Sequence, residues 1–129
     1  MEQGAKDEEQ ARMDQDLPVF DRAALLDRCL DDEDLVQEVL RVFQETMPQR
    51  IRELKEALSV GDAPAVRMAA HAIKGMAGNI GAMALSALAG EMETAAHAGD
   101  LDAMRARLDE LGIRFEKVRE ALEHVDAEM

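Results

Sequence analysis

The chain has 129 residues, enough for one domain with one hydrophobic core. Its formal net charge of −13 argues against nucleic acid or an anionic membrane as a partner. Alanine, leucine, methionine and glutamate are abundant and only three aromatic side chains occur, a composition typical of all-α proteins. A lone cysteine excludes an intrachain disulfide, and no apolar run is long enough to span a membrane. With no basic start typical of a signal peptide, a cytoplasmic location is expected.

The N-terminal part of the chain should contribute a tail and a short helix. Residues 1–17 are polar and acidic with almost nothing to bury, so we predict a flexible tail there. A single domain is expected over residues 18–129. Asp21 is a candidate cap for a short helix at the start of this domain.

A long helix should follow, because apolar residues recur at alternating steps of three and four from Val36 to Leu58. The pair Asp31 and Asp32 is expected to start it. Pro48 has no amide hydrogen to donate to the preceding turn, so we expect the helix to kink or restart there.

Three further helices are predicted. The third should begin at Asp62, with Pro64 in its first turn, and end near Gly81. The fourth should run from about residue 83 to 97, and the fifth should follow Asp100. The fifth has the most regular apolar stripe in the chain: Leu101, Met104, Leu108, Leu111, Phe115, Val118, Leu122 and Val125. Four long amphipathic helices joined by short loops predict an all-α, antiparallel up-down four-helix bundle with a short additional N-terminal helix.

His71 is the most informative residue of the third helix. The apolar sector of that helix contains Val66, Ala69, Ala70, Ile73, Met76, Ala77 and Ile80, and His71 points nearly the opposite way. Lys74, Gly75 and Gly78 follow three, four and seven residues later, on or near the side of the histidine. Glycine in a helix costs about 1 kcal/mol relative to alanine. Two glycines beside an exposed imidazole therefore indicate a surface kept clear for a bulky group and a second protein.

This arrangement suits a phosphoryl carrier. An exposed imidazole is a nucleophile near neutral pH. We expect no partner acid or base beside His71, so the ring could accept a group but not activate one. Lys74 could neutralise an anion carried by the ring. Met68 lies one turn before the histidine and outside the apolar sector, and with Arg67 it is a candidate for a docking surface.

The motifs of an enzyme are missing from the sequence. It has no glycine-rich phosphate loop, no GxSxG elbow and no HExxH motif. A di-metal bundle needs Glu-x-x-His on two helices, whereas the residues three before each histidine are Met68, Thr94 and Ala121. Glu93 and His97, four residues apart, could bind a metal ion only if a second glutamate–histidine pair completed the site. We therefore expect no metal and no cofactor, and we assign no function to His97 or His124.

Residues 71–81 have the sequence His-Ala-Ile-Lys-Gly-Met-Ala-Gly-Asn-Ile-Gly. This stretch resembles the signature of histidine-containing phosphotransfer (HPt) domains, which is His-x-Leu-Lys-Gly-Ser/Ala-Ser/Ala-x-x-x-Gly. Similar landmarks elsewhere are Leu17 to Asp21, Phe43 to Pro48, Gly61-Asp62 and Ala98-Gly99-Asp100, so the resemblance covers about residues 17–125. It implies that His71 is phosphorylated, that Lys74 neutralises the phosphate and that Gly75 provides clearance. Met76 and Ala77 replace the frequent serine pair, which removes two hydroxyl groups that could form local hydrogen bonds.

The resemblance implies a relay protein without kinase activity. Such domains pass a phosphoryl group between the receiver domain of a hybrid sensor kinase and that of a response regulator, and the aspartate and Mg²⁺ belong to the receivers. We expect a monomer that stands alone, since residues 1–129 leave no room for the kinase domain that a chemotaxis-type kinase would need. The main alternative is a non-catalytic helical interaction module that dimerises through the stripe of residues 101–125. It is disfavoured because four amphipathic helices can bury one another.

Overall fold

The computed structural model describes the backbone of residues 16–128 and the side chains of residues 16–124. Its five helices are α1 (Arg22–Arg28), α2 (Glu33–Ser59), α3 (Ala63–Ile80), α4 (Met83–His97) and α5 (Leu101–Glu128), and this part of the chain contains no strand. The all-α prediction is confirmed. Nearly all of the predicted tail lies outside the described residues, as does the side chain of Val125. None of the described helices combines the length and the apolar character that crossing a bilayer requires.

Aspartate side chains begin four of these helices. Asp21, Asp32, Asp62 and Asp100 each accept a hydrogen bond from the backbone amide three residues further on, at 3.0–3.1 Å. Each bond satisfies an amide that has no partner within its own helix. The prediction that Asp31 starts α2 together with Asp32 is wrong, because Asp31 lies in the preceding turn with a φ of 61° and Asp32 alone caps the helix.

The four long helices form a ring in which each packs against two others: α2 against α3, α3 against α4, α4 against α5, and α5 back against α2. The loops between them span only residues 60–62, 81–82 and 98–100, so consecutive helices run antiparallel. Their apolar faces meet in one core, where the rings of Phe43 and Phe115 lie 6.2 Å apart and join α2 to α5. The predicted up-down bundle is therefore confirmed.

Pro48 does not interrupt α2, which continues as one helix on both sides of it. The prediction of a restart was wrong. Proline removes a single backbone hydrogen bond, while Met47 and Ile51 on either side are buried in the core. Their packing keeps both halves of α2 in one helix.

The short helix α1 is attached to the end of α3. Arg28 donates hydrogen bonds to the carbonyl oxygens of Gly78 and Asn79 at 2.6 and 2.9 Å. The amide of Asp21 donates to the carbonyl of Gly81 at 3.0 Å. These bonds give the last carbonyls of α3 hydrogen-bond donors from α1 and fix the C-terminal end of the helix that carries His71.

Candidate functional site

His71 extends from α3 into solvent, and 73% of its side chain is exposed. The opposite face of α3 is packed into the core, as the periodicity predicted: Val66, Ala69, Ala70, Ile73, Ala77 and Ile80 are buried, and Met76 is half-buried. The core thus fixes the rotation of α3 about its axis. The burial of the opposite face therefore directs the imidazole outward.

The charge of α3 is unusual for this chain. The sequence contains 28 aspartate and glutamate residues, and none of them lies in α3. The formal charges of this helix come from Arg67 and Lys74, which lie one turn before and one turn after His71. The helix α3 itself therefore contributes positive charge and no carboxylate to the surface around the imidazole.

Glu93 of α4 contacts both polar side chains of the site. Its Oε2 lies 2.5 Å from Nδ1 of His71, and its Oε1 accepts a hydrogen bond from Nζ of Lys74 at 3.3 Å. Only 22% of the Glu93 side chain is exposed. The expectation that His71 has no acidic partner was wrong. Spacing along one helix could not reveal this partner, because it lies on the next helix, 22 residues further on.

Glu93 is held in its ionised form. Burial raises the pKa of its carboxyl group, but the hydrogen bonds from His71 and Lys74, together with the charges of these groups, outweigh burial and hold the pKa below its ordinary value. An ionised carboxylate can only accept hydrogen bonds. Nδ1 of His71 must therefore carry the proton in this contact, which leaves the lone pair of a neutral ring on Nε2.

The two glycines near His71 have different surroundings. A Cβ atom added to Gly75 would meet nothing within 4 Å, so this position faces open space. A Cβ atom added to Gly78 would lie 3.4 Å from the hydroxyl oxygen of Ser86 on α4. Gly75 thus leaves the surface beside the imidazole clear, whereas Gly78 lies where α3 and α4 approach each other.

The two residues predicted to form a docking surface and the two other histidines are exposed. Arg67 and Met68 both lie on the surface, and the 75% exposure of Met68 leaves its thioether free for contact with another protein. His97 and His124 are exposed on α4 and α5. Among the side chains of residues 16–124, no group of three or more histidine, cysteine, aspartate or glutamate residues could hold a metal ion.

Comparison with known proteins identifies the family to which this fold belongs. Residues 38–128 match the family model of the Hpt domain. The fold is similar to the crystal structure of histidine-containing phosphotransfer protein B (HptB) from Pseudomonas aeruginosa PAO1, with a TM-score of 0.80 and 30% sequence identity over 87% of this chain and 97% of that chain. A search of curated proteins found no match.

Hpt domains interact with receiver domains in two-component phosphorelays, and they are phosphoryl carriers rather than kinases. The resemblance inferred from the sequence motif is therefore confirmed. This chain belongs to the Hpt domain family and has a histidine phosphotransfer role.

Proposed function

We propose that His71 is the residue that carries the phosphoryl group and that its Nε2 is the accepting atom. The observation that supports this most directly is the contact between Nδ1 of His71 and the ionised carboxylate of Glu93. It assigns the ring proton to Nδ1 and leaves Nε2 with a lone pair on an exposed side chain.

In the forward step, Nε2 of His71 attacks the phosphorus of a phosphorylated aspartate on a receiver domain. The Nε2–P bond forms and the P–O bond breaks, and the electron pair leaves with the aspartate carboxylate. Positive charge develops on the imidazole as its lone pair is donated, and the carboxylate of Glu93 stabilises that charge through Nδ1–H. The same step in reverse passes the phosphoryl group to the aspartate of a second receiver. The Mg²⁺ of the reaction belongs to the receivers.

The neighbouring residues have separate roles in this proposal. Lys74 neutralises the phosphoryl oxygens, to which it can bring an ammonium group already held near the ring by Glu93. Gly75 leaves space for the receiver. Arg67 and Met68 form part of the docking surface. Gly78, predicted from the sequence to keep the docking surface clear, lies beside Ser86 of α4 and has no direct role in this proposal.

The partners we propose are the receiver domains of a hybrid histidine kinase and of a response regulator. The protein would act as a monomer, since most of the apolar stripe of α5 that a dimer would require is buried in the ring of four helices: Met104, Leu111, Phe115, Val118 and Leu122. The cytoplasmic location inferred from the sequence stays a prediction.

The test is transfer of labelled phosphate from a phosphorylated receiver in the presence of Mg²⁺. His71→Gln should abolish labelling, whereas the matched variants His97→Gln and His124→Gln should be labelled like the wild type, because their imidazoles lie outside the Glu93 contact. The label should be lost in acid and stable in base, as expected of a phosphoramidate. Labelling that survives in His71→Gln would overturn the assignment.

A further inference from the structure

The loop between α3 and α4 sets which residues of the two helices face each other. The facing pairs are symmetric about Ala82. His71 faces Glu93, each eleven residues from Ala82; Lys74 faces Gly90, each eight residues away; and Gly78 faces Ser86, each four residues away. Because the loop is only residues 81–82, this register is fixed over the whole length of the site. The middle pair brings a glycine beside the lysine of the site.

Gly90 lies directly beneath the side chain of Lys74. A Cβ atom added to Gly90 would lie 3.3 Å from Cδ of Lys74, closer than an ordinary van der Waals contact. From that point the lysine extends to Glu93, three residues further along α4, where Nζ donates its hydrogen bond at 3.3 Å. The lysine stem therefore crosses α4 at the one position of this turn that has no side chain.

The backbone of the same lysine is also fixed by α4. The hydroxyl of Ser86 donates a hydrogen bond to the carbonyl oxygen of Lys74 at 2.9 Å. Ser86, Gly90 and Glu93 lie on one face of α4, at steps of four and three residues. That face holds Lys74 at its carbonyl, its stem and its ammonium group. A glycine inside a helix is unfavourable, and the path of the lysine supplies a reason for this one.

We propose that Gly90 is a positioning residue for phosphoryl transfer, because the absence of a side chain there lets Lys74 cross α4 and reach Glu93 beside His71. The inference rests on the proposed role of His71. A large side chain at position 90, such as leucine, would push the lysine stem away from α4. The ammonium group would then lose Glu93, and a phosphoryl group on His71 would lose a cation that is already in place.

The experiment compares Gly90→Leu with Gly112→Leu. Gly112 lies inside α5, and a Cβ atom added there meets nothing within 4 Å, so this control repeats the same substitution in a helix without an obstructed neighbour. Gly90→Leu should lower the equilibrium amount of phosphorylated protein about two- to fivefold, the range that corresponds to an exposed ion pair. Gly112→Leu should leave it unchanged.

A double-mutant cycle separates positioning from simple obstruction of the receiver. In a Lys74→Ala background, Gly90→Leu should have no further effect, because the side chain it displaces is already gone. A second readout needs no phosphate: carbon-13 NMR titration of the Glu93 carboxyl should show its pKa rising in Gly90→Leu and in Lys74→Ala but not in Gly112→Leu. Gly90→Ala, a milder change, should shift the pKa in the same direction by a smaller amount and serves if the leucine variant is unfolded.

An effect of Gly90→Leu that persists undiminished without Lys74 would overturn the inference, and so would a Glu93 titration unchanged in both Gly90 variants. Failure of the proposed function would look different. In that case phosphate would be found on a residue other than His71, while the coupling between Gly90, Lys74 and the Glu93 titration would still be measured.

Discussion

Replacing Glu93 with alanine should slow phosphoryl transfer to His71 about fivefold. Hydrogen bonds that involve a charged group contribute about 1.5–3 kcal/mol when they are well shielded from water. The carboxylate is 22% exposed but the imidazole is 73% exposed, so solvent screening reduces this to about 1 kcal/mol. A barrier change of about 1 kcal/mol corresponds to about fivefold in rate at 25 °C. Glu93→Gln keeps an acceptor oxygen without the charge, and should cost about twofold, within the range of neutral hydrogen bonds.

The assay is rapid-quench transfer from a labelled phosphorylated receiver, with nitrogen-15 NMR of the imidazole as a second measurement. The wild type should show the ring proton mainly on Nδ1, and Glu93→Ala should shift the population towards the tautomer protonated on Nε2, whose Nε2 has no lone pair with which to attack phosphorus. Glu116→Ala is the matched control. It removes the same charge from an exposed side chain of α5, where Glu116 pairs with Arg119.

Two results would refute this reasoning. If Glu93→Ala and Glu116→Ala lowered the rate equally, only the net charge of the protein would matter. If Glu93→Ala transferred phosphate at the wild-type rate although its ring tautomer had shifted, the proton position on His71 would have no bearing on transfer.

The other predictions follow from the same contacts. Gly75→Ala should raise the melting temperature, because alanine favours the helix and its Cβ meets nothing within 4 Å, whereas Gly75→Leu should stay folded and slow transfer strongly by blocking the receiver. Gly81→Ala should destabilise the fold by about 1–3 kcal/mol in urea unfolding, since its φ is 85° and the added Cβ would lie 2.8 Å from the carbonyl oxygen of Asp21. The pKa of Glu93 is lowered in the folded state, so its ionised carboxylate stabilises the fold relative to Glu93→Gln. In urea unfolding at a series of pH values, this difference in the free energy of unfolding should be complete above the unfolded pKa of about 4.3. It should disappear as the pH falls through the folded pKa. Lys74→Ala should change the free energy of unfolding by about 0.5 kcal/mol and reduce the phosphorylated fraction about two- to fivefold, an effect that shrinks as salt is raised.

Much of the fold could be predicted from local patterns. Aspartates before apolar periodic segments identified the starts of four helices, and the resulting order of long amphipathic helices with short loops implied the bundle. The prediction that α2 restarts at Pro48 was wrong. The proline costs one local hydrogen bond, whereas the packing that keeps the helix continuous involves the neighbouring helices. Sequence periodicity describes one helix at a time, so it cannot compare the energy of a lost hydrogen bond with that of packing between helices.

The same limit explains what was missed at the site. His71, Lys74 and Gly75 share one helix, so their common side could be inferred from their spacing. Glu93 could not be found in this way. The signal that would have found it is the short α3–α4 loop: an antiparallel hairpin with a two-residue connection, residues 81–82, pairs positions symmetric about Ala82 and thereby brings Glu93 opposite His71.

The most direct test of the central claim is to determine which atom bears the phosphoryl group. Phosphorus-31 and nitrogen-15 NMR of the phosphorylated, isotope-labelled protein should show phosphorus bonded to Nε2 of His71 and a proton on Nδ1, where Glu93 accepts its hydrogen bond. A phosphorus coupling to Nδ1, or to a nitrogen of any residue other than His71, would contradict the account.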